Sequence, residues 1–468
     1  MKNVLIIGGG GAGQLAVLLI QNNEKLKKVY NVVGFLDDNE NIEYVLDFPV
    51  LGKVFDAPEI IKKYQIDEVL IAIPSAKDEV IQRIFKIVLP LKVNVKIVPG
   101  LYEIVEGTFD LRQIRKVNLD DLLGREEVGF DIEKISPFYN GKRIFVTGAG
   151  GSIGNEIVNQ LLKLPVNEIL AFGHGENSIH LLISRHKDDK RLKYTIGDIR
   201  DREKLDYEIK KFQPDVIFHA AAHKHVYLME ECPDEAIKNN VIGTYNTALM
   251  ALKNNVKNFV LISTDKAVNP KSIMGATKRI AEKIILSLNQ LKKTKFSLVR
   301  FGNVLGSRGS VGLIFKEQIE NGGPITITHP EVTRYFMSIR EASRLVIKSL
   351  TIDSGNIFVL DMGKPVKIID IAKNLLYMYG YNEEEIPIVF TGLKKGEKLH
   401  EEILSNKENL HLSHFEKLYI SEEKNIFFEP DKIENIIEEF KEIANTFDKR
   451  KIVSVIKKYC EEYEGEYE

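Results

Sequence analysis

The residues Thr264, Asp265 and Lys266, followed by Met274 and Lys278, gather a hydroxyl, a carboxylate and two ammonium groups in one short stretch. Such groups orient oxygens and move protons. The apolar run Asn258-Phe-Val-Leu-Ile262 just before them predicts a buried strand. That strand would deliver Thr264, Asp265 and Lys266 to the carboxyl edge of a sheet, where open α/β sheets bind ligands. Met274 and Lys278 are four apart, so on a helix they share one face. The thioether of Met274 cannot carry a proton. Taken alone, a Thr-Asp-Lys at a strand end reads as a turn with a surface ion pair, and a methionine at helical spacing reads as core. The surrounding elements reverse that reading.

Those elements spell strand, glycine turn, helix twice over. The second copy is the stronger: strand Arg143-Ile-Phe-Val-Thr147, turn Gly148-Ala-Gly-Gly151-Ser152-Ile153-Gly154, and a helix running to Leu162. Glycines at 148, 151 and 154 let backbone approach a pyrophosphate, which rests on the free N–H groups of the helix start. Apolar strands follow at 168–172, 192–196, 215–218, 259–262 and 297–301, each after a helical stretch. This is the signature of a parallel sheet covered on both faces.

The first copy is Val4-Leu-Ile-Ile7, then Gly8-Gly-Gly10-Gly-Ala-Gly13 and a helix through Leu19. Asp37 and Asp38 follow a second strand, about where a ribose-binding acid would sit. Fold is not function, and this copy reads equally well as a nucleotide-type fold kept for assembly or regulation. The expected class is therefore α/β, with two doubly wound Rossmann-type domains. Their expected boundaries are 1–100 for the first domain, 101–140 for a linker with a short helix near 119–124, and 141–305 for the NAD(P)-binding domain. Residues 306–468, where the alternation loosens, are expected to form a smaller substrate-binding lobe and terminal helices, some crossing back to the Rossmann domain. The acidic end, 461–468, is expected to fray.

Composition narrows the class. With 468 residues the chain exceeds one ordinary core. Apolar residues make up 44%, charged residues 28%, and the formal net charge is -2, which excludes a general nucleic-acid binder. Only Cys232 and Cys460 are present, so no disulfide framework is expected and a reducing compartment fits. No apolar run approaches the ~18–20 residues of a membrane span. The expected location is cytoplasmic.

From Arg143 to about Leu404 the sequence resembles the extended short-chain dehydrogenases/reductases, and within them the UDP-N-acetylglucosamine 4,6-dehydratases of bacterial polysaccharide and glycan biosynthesis. The blocks that carry the resemblance are Thr147 to Gly154, Gly197-Asp-Ile-Arg-Asp201, His219 to Val226, Asn239-Asn-Val-Ile-Gly-Thr244, Ser263 to Ala267, Arg300 to Gly309 and Gly396-Glu-Lys398. Large membrane-bound members carry a preceding nucleotide-fold domain like residues 1–100, usually after four membrane helices that this sequence does not contain. The protein is thus expected either free in the cytoplasm or as the cytoplasmic part of a membrane-associated system, as a homo-oligomer.

The resemblance implies a tightly bound NAD or NADP, regenerated each turnover. Gly148, Gly151, Ser152, Ile153 and Gly154 would hold its pyrophosphate, Asp198 and Ile199 its adenine, and Ala220, Ala221, Asn240 and Lys278 its nicotinamide side. Relatives that favour NAD often end the second strand in an acid; here Phe172 leads to Gly173, His174, Gly175 and Glu176. His174 suits a 2′-phosphate and Glu176 a ribose, so NAD and NADP both stay open.

The implied substrate is UDP-N-acetylglucosamine. It would be oxidised at carbon 4, lose water across carbons 5 and 6, and regain hydride at carbon 6. Met274 stands where relatives usually place a tyrosine base. By resemblance Asp265 handles the proton of the 4-hydroxyl and the departing 6-hydroxyl. Lys266, if desolvation lowers its pKa, takes the carbon 5 proton, and Thr264 orients the 4-oxygen. Lys224, His225, Asn303, Arg308, Arg334 and Glu397 are expected at the substrate, with Arg300 a further candidate for the diphosphate. His223 and His225 lack a third ligand at metal spacing, so no metal is expected. A 4-epimerase and a retired nucleotide-binding scaffold are the competing readings.

Overall fold

Strands that must bury both faces are short, apolar and separated by covering helices, and the protein is built that way. The computed structural model describes residues 1–76, 78–98, 115–117, 121, 128–405, 408–423 and 427–465. The chain divides into two compact units. One comprises 1–129, 309–330 and 367–391; the other comprises 130–308, 331–366 and 392–468. Two segments of the expected substrate lobe, 309–330 and 367–391, therefore group with the N-terminal residues. The expected helix near 119–124 lies outside the described residues save for Asp121, and so do the last three residues of the acidic tail.

The second unit contains a nine-stranded sheet. Its strands are β1 Arg143–Thr147, β2 Glu168–Gly173, β3 Leu192–Ile196, β4 Val216–His219, β5 Asn258–Ile262, β6 Lys295–Arg300, β7 Ile357–Leu360, β8 Glu408–Leu412 and β9 Leu418–Glu423. They lie in the order β3-β2-β1-β4-β5-β6-β7-β9-β8. The first seven are parallel, and β9 and β8 close the edge antiparallel. From β1 the chain winds outwards to β3, then returns and winds the other way from β4. The carboxyl ends of β1 and β4 thus form the crevice where such sheets take ligands. Phe145, Ile217, Phe259 and Phe296 are wholly buried and fix the register of the central strands.

Helix α1, Ser152–Leu161, follows the glycine turn, and α2, Ile273–Asn289, follows the Thr-Asp-Lys segment. Ser272 caps α2 by accepting from the N–H of Gly275 at 3.0 Å. The edge pair β8 and β9 is not anticipated from the sequence. Glu408-Asn-Leu-His-Leu412 carries polar residues on an exposed edge, so it has no continuous apolar run to mark it.

In the first unit Lys2–Ile7 pairs in parallel with Tyr30–Leu36 and Glu68–Ile71, and the sheet extends through Phe48–Gly52 to Tyr44–Val45 on one side and through Asn94–Ile97 to Arg115–Lys116 on the other. Ile325–Ile327 and Ile388–Phe390 form a separate parallel pair in this unit.

Candidate active site

The turn after β1 is shaped by close backbone approach. Gly148 has φ +63°, and a Cβ there would fall 2.6 Å from the amide nitrogen of Ala221. A Cβ on Gly154 would fall 2.3 Å from the Gly148 carbonyl oxygen. Neither position tolerates a side chain, so α1 starts directly against the turn. Gly151 begins that helix with no side-chain cap, leaving first-turn N–H groups for a ligand. Ser152 Oγ accepts from the Arg308 N–H at 3.1 Å. The fold thereby brings Ser152 and Arg308 together, although they lie far apart in sequence.

Around this turn the other expected cofactor residues fall into two groups. His174 and Glu176 are exposed at the end of β2, where no acid occupies the buried strand terminus. Asp198 is held by Arg200, with Nε to Oδ1 at 3.0 Å and Nη2 to Oδ2 at 2.7 Å. Burial alone would raise its carboxyl, but the Arg200 bonds and charge outweigh burial and hold it low. Ile199 is buried against Gly243. Asn240 clamps the loop after β4: its Oδ1 accepts from the His223 N–H at 2.8 Å, and its Nδ2 donates to the His223 carbonyl at 3.0 Å. It acts on Ala220 and Ala221 through their loop. Lys278 is buried on α2 and donates to the Ile262 carbonyl at 2.7 Å. Burial pushes it down to about 8, against the opposing pull of Glu282. Glycine turn, uncapped helix start and buried lysine fit a nicotinamide dinucleotide.

The chemical groups sit at the end of β5. Asp265 is fully buried; its Oδ1 accepts from Thr264 Oγ1 at 2.8 Å and from Lys266 Nζ at 3.0 Å, while its Oδ2 has no hydrogen-bond partner. A buried carboxylate oxygen left open is an acceptor waiting for a donor. Lys266 Nζ also donates to Asn303 Oδ1 at 3.1 Å. Burial alone would lower the Lys266 pKa; the charges of Asp265 and Glu401 outweigh it, and the pKa is raised. The lysine is desolvated, as expected, but its expected lowering is corrected. Lys266 rests as an ammonium, because two carboxylates face it. Met274 is buried one turn before Lys278, as the spacing requires.

Arg300 needs a second correction. It is wholly buried, donating to Glu282 with Nε at 2.8 Å and Nη2 at 2.7 Å, and to Glu408 with Nη1 at 2.8 and 2.9 Å. All its donors are used inside the core, so it has none for a diphosphate. Its partner Glu282 accepts from Ser263 Oγ at 2.5 Å, immediately before Thr264. Arg300 supports the segment from behind.

Of the expected substrate residues, Asn303 lies on Lys266, and Lys224 lies over Ser307 and the Arg308 carbonyl, at 3.4 and 2.7 Å. Burial lowers the Lys224 pKa and nearby Lys266 lowers it further. His225 is also lowered by burial, then by Lys224. Arg334 and Glu397, singled out separately, meet at 3.0 Å. Sequence reasoning passed over Glu401, which is buried beside Lys266 and Arg334. Glu401 stands beside Glu402 in a segment with no apolar period or motif spacing to single it out.

Residues 144–423 match the family model described as polysaccharide biosynthesis protein, and residues 1–99 match one described as CoA-binding domain. A probable polysaccharide biosynthesis protein EpsC of Bacillus subtilis is 47% identical over 90% of this chain and 71% of its own. The chain belongs to the polysaccharide biosynthesis protein family. This is the extended dehydrogenase/reductase family to which the sequence blocks point. A UDP-N-acetylglucosamine 4,6-dehydratase (inverting) of Campylobacter jejuni is 34% identical over 60% of this chain and 83% of its own. A UDP-glucose 4-epimerase of Rickettsia canadensis is also 34% identical, over 57% of this chain and 79% of its own. Among solved structures, Pen from Bacillus thuringiensis superposes with TM-score 0.56 at 32% identity, covering 60% of this chain and 89% of that one. Among the described residues no helix is long and apolar enough to cross a membrane.

Proposed function

We propose that the protein is a nucleotide-sugar 4,6-dehydratase acting on UDP-N-acetylglucosamine with bound NAD or NADP. The observation that carries this reading is the pairing at the end of β5 of an open, buried Asp265 oxygen with a Lys266 ammonium. An acceptor and a donor side by side suit elimination, which needs a proton removed and a hydroxyl protonated. Similarity alone does not choose this reaction, because dehydratase and epimerase relatives are equally identical to the chain.

A nicotinamide bound at the glycine turn would supply hydride acceptance at carbon 4 and hydride return at carbon 6. Asp265 Oδ2 takes the proton of the 4-hydroxyl, the role left open where Met274 replaces a phenol. Thr264, already hydrogen-bonded to Asp265, orients the 4-oxygen. Lys266 gives its proton to the departing 6-hydroxyl, as a resting ammonium can, and the amine so formed takes the carbon 5 proton in the same elimination; the proton held on Asp265 then returns to carbon 5. Of the protons removed from the 4-oxygen and carbon 5, one leaves with water and one returns to carbon 5, so no net redox occurs. Arg334, Arg308 and Lys224 supply positive charge for the diphosphate, and Lys278 holds the nicotinamide ribose.

The test is incubation with UDP-N-acetylglucosamine and mass analysis of the product. Loss of ~18 Da, one water with the cofactor regenerated, is expected. An unchanged mass with a changed sugar configuration would replace this reading by 4-epimerisation.

A further inference from the structure

Glu401 lies in Lys398-Leu-His-Glu401-Glu402, and no role in the reaction has yet fallen to it. Its side chain is only 4% exposed, a costly place for a carboxylate unless charge answers it. Its Oε1 lies 3.7 Å from Lys266 Nζ and 3.9 Å from Arg334 Nε, while Oε2 is buried without a hydrogen bond. Both cations hydrogen-bond elsewhere at shorter range: Lys266 to Asp265 and Asn303, Arg334 to Glu397 and the Thr333 and Leu399 carbonyls. Glu401 therefore acts on them by charge more than by hydrogen bonding.

We propose that Glu401 is a positioning residue, whose buried carboxylate draws Lys266 and Arg334 together and holds Lys266 as an ammonium beside Asp265. The charged groups facing Lys266 balance two against two: Asp265 and Glu401 attract, Arg334 and Lys224 repel. Without Glu401, one carboxylate would stand against two cations and burial. Lys266 would then surrender its proton at lower pH and no longer protonate a leaving hydroxyl at the alkaline end of the working range. That last step rests on the dehydratase reading; the charge balance does not.

The experiment compares wild type, Glu401→Gln and Glu401→Asp by competitive acetylation of Lys266, read by mass spectrometry from about pH 6 to 11. In Glu401→Gln the half-point of labelling is expected to fall by about one pH unit or more, with Glu401→Asp between. The alkaline limb of kcat is expected to move by the same amount. An unchanged Lys266 titration in Glu401→Gln overturns the proposal, whatever happens to turnover. If Gln does not fold, an unchanged titration in Glu401→Asp overturns it equally. A shifted titration in a protein whose wild type releases no water supports the Glu401 role and sinks the dehydratase reading instead.

Discussion

The two glycine turns share a pattern and differ in what answers them. After Lys2–Ile7, the Gly9 N–H is already taken by Asp37 Oδ2 at 2.6 Å, and Asp37 Oδ1 accepts from Asn39 at 2.9 Å. Asp38 accepts from the Val54 N–H and pairs with Arg83. The acids that the sequence offered to a ribose are spent on their own unit. Both turns open an uncapped helix, but after β1 the second strand ends in Gly173 with no acid, and the sheet's later strands bring Asp265, Lys266 and Lys278. A shared turn therefore gives a shared fold, and the residues carried by other strands set the two copies apart.

The sharpest way to break this comparison is Asp265→Asn. It removes the acceptor while keeping size and the Thr264 contact, and kcat for dehydration should fall about 10²–10⁴-fold with cofactor content unchanged. Product mass and absorbance of bound nicotinamide check both halves. A variant that stays active would strip the second turn of its distinguishing group.

Next in size is Arg300→Met. It leaves Glu282, Glu408 and Glu423 buried with one cation fewer, and should cost about 3–5 kcal/mol in denaturant unfolding. KM for the nucleotide sugar should stay put in the folded fraction. A raised KM with unchanged stability would return Arg300 to the substrate.

Lys278 gives a smaller, pH-dependent effect. Its pKa is depressed from 10.5 to about 8, so the folded state binds this proton less readily than the unfolded chain. Below about pH 8 both states hold the proton and the burial penalty is fully present; between 8 and 10.5 only the unfolded state holds it, so stability rises with pH. The gain is on the order of 3 kcal/mol at most. Wild type measured against Lys278→Met from neutral to alkaline pH should show that rise; parallel curves would mean that Lys278 is not buried as the fold places it.

The smallest effect is expected from Asp37→Ala, which strips an acceptor from Gly9 and Asn39. It should destabilise the first unit by about 1 kcal/mol and leave nicotinamide content unchanged. Loss of bound nicotinamide would show that the first turn holds it.

Much of the second sheet is legible because β1, β4, β5 and β6 are short apolar runs, and helix α2 because Met274 and Lys278 keep its period. Glu408–Leu412 is not legible, since an exposed edge strand carries no apolar signature. Among site residues, Thr264, Asp265 and Lys266 are marked by the strand before them, and Gly148 and Gly154 by their spacing. Arg300 misled, because an arginine near a phosphate-binding block reads the same whether it faces ligand or core.

The sequence alone determined the two strand-turn-helix openings, the sheet class, and which chemical groups the fifth strand delivers, because these depend on local apolar runs and fixed spacings. Only the tertiary structure decided the state of Lys266, the burial of Arg300 and the place of Glu401. Each depends on charges brought from distant parts of the chain into a largely buried space, where one carboxylate more or less sets who holds the proton.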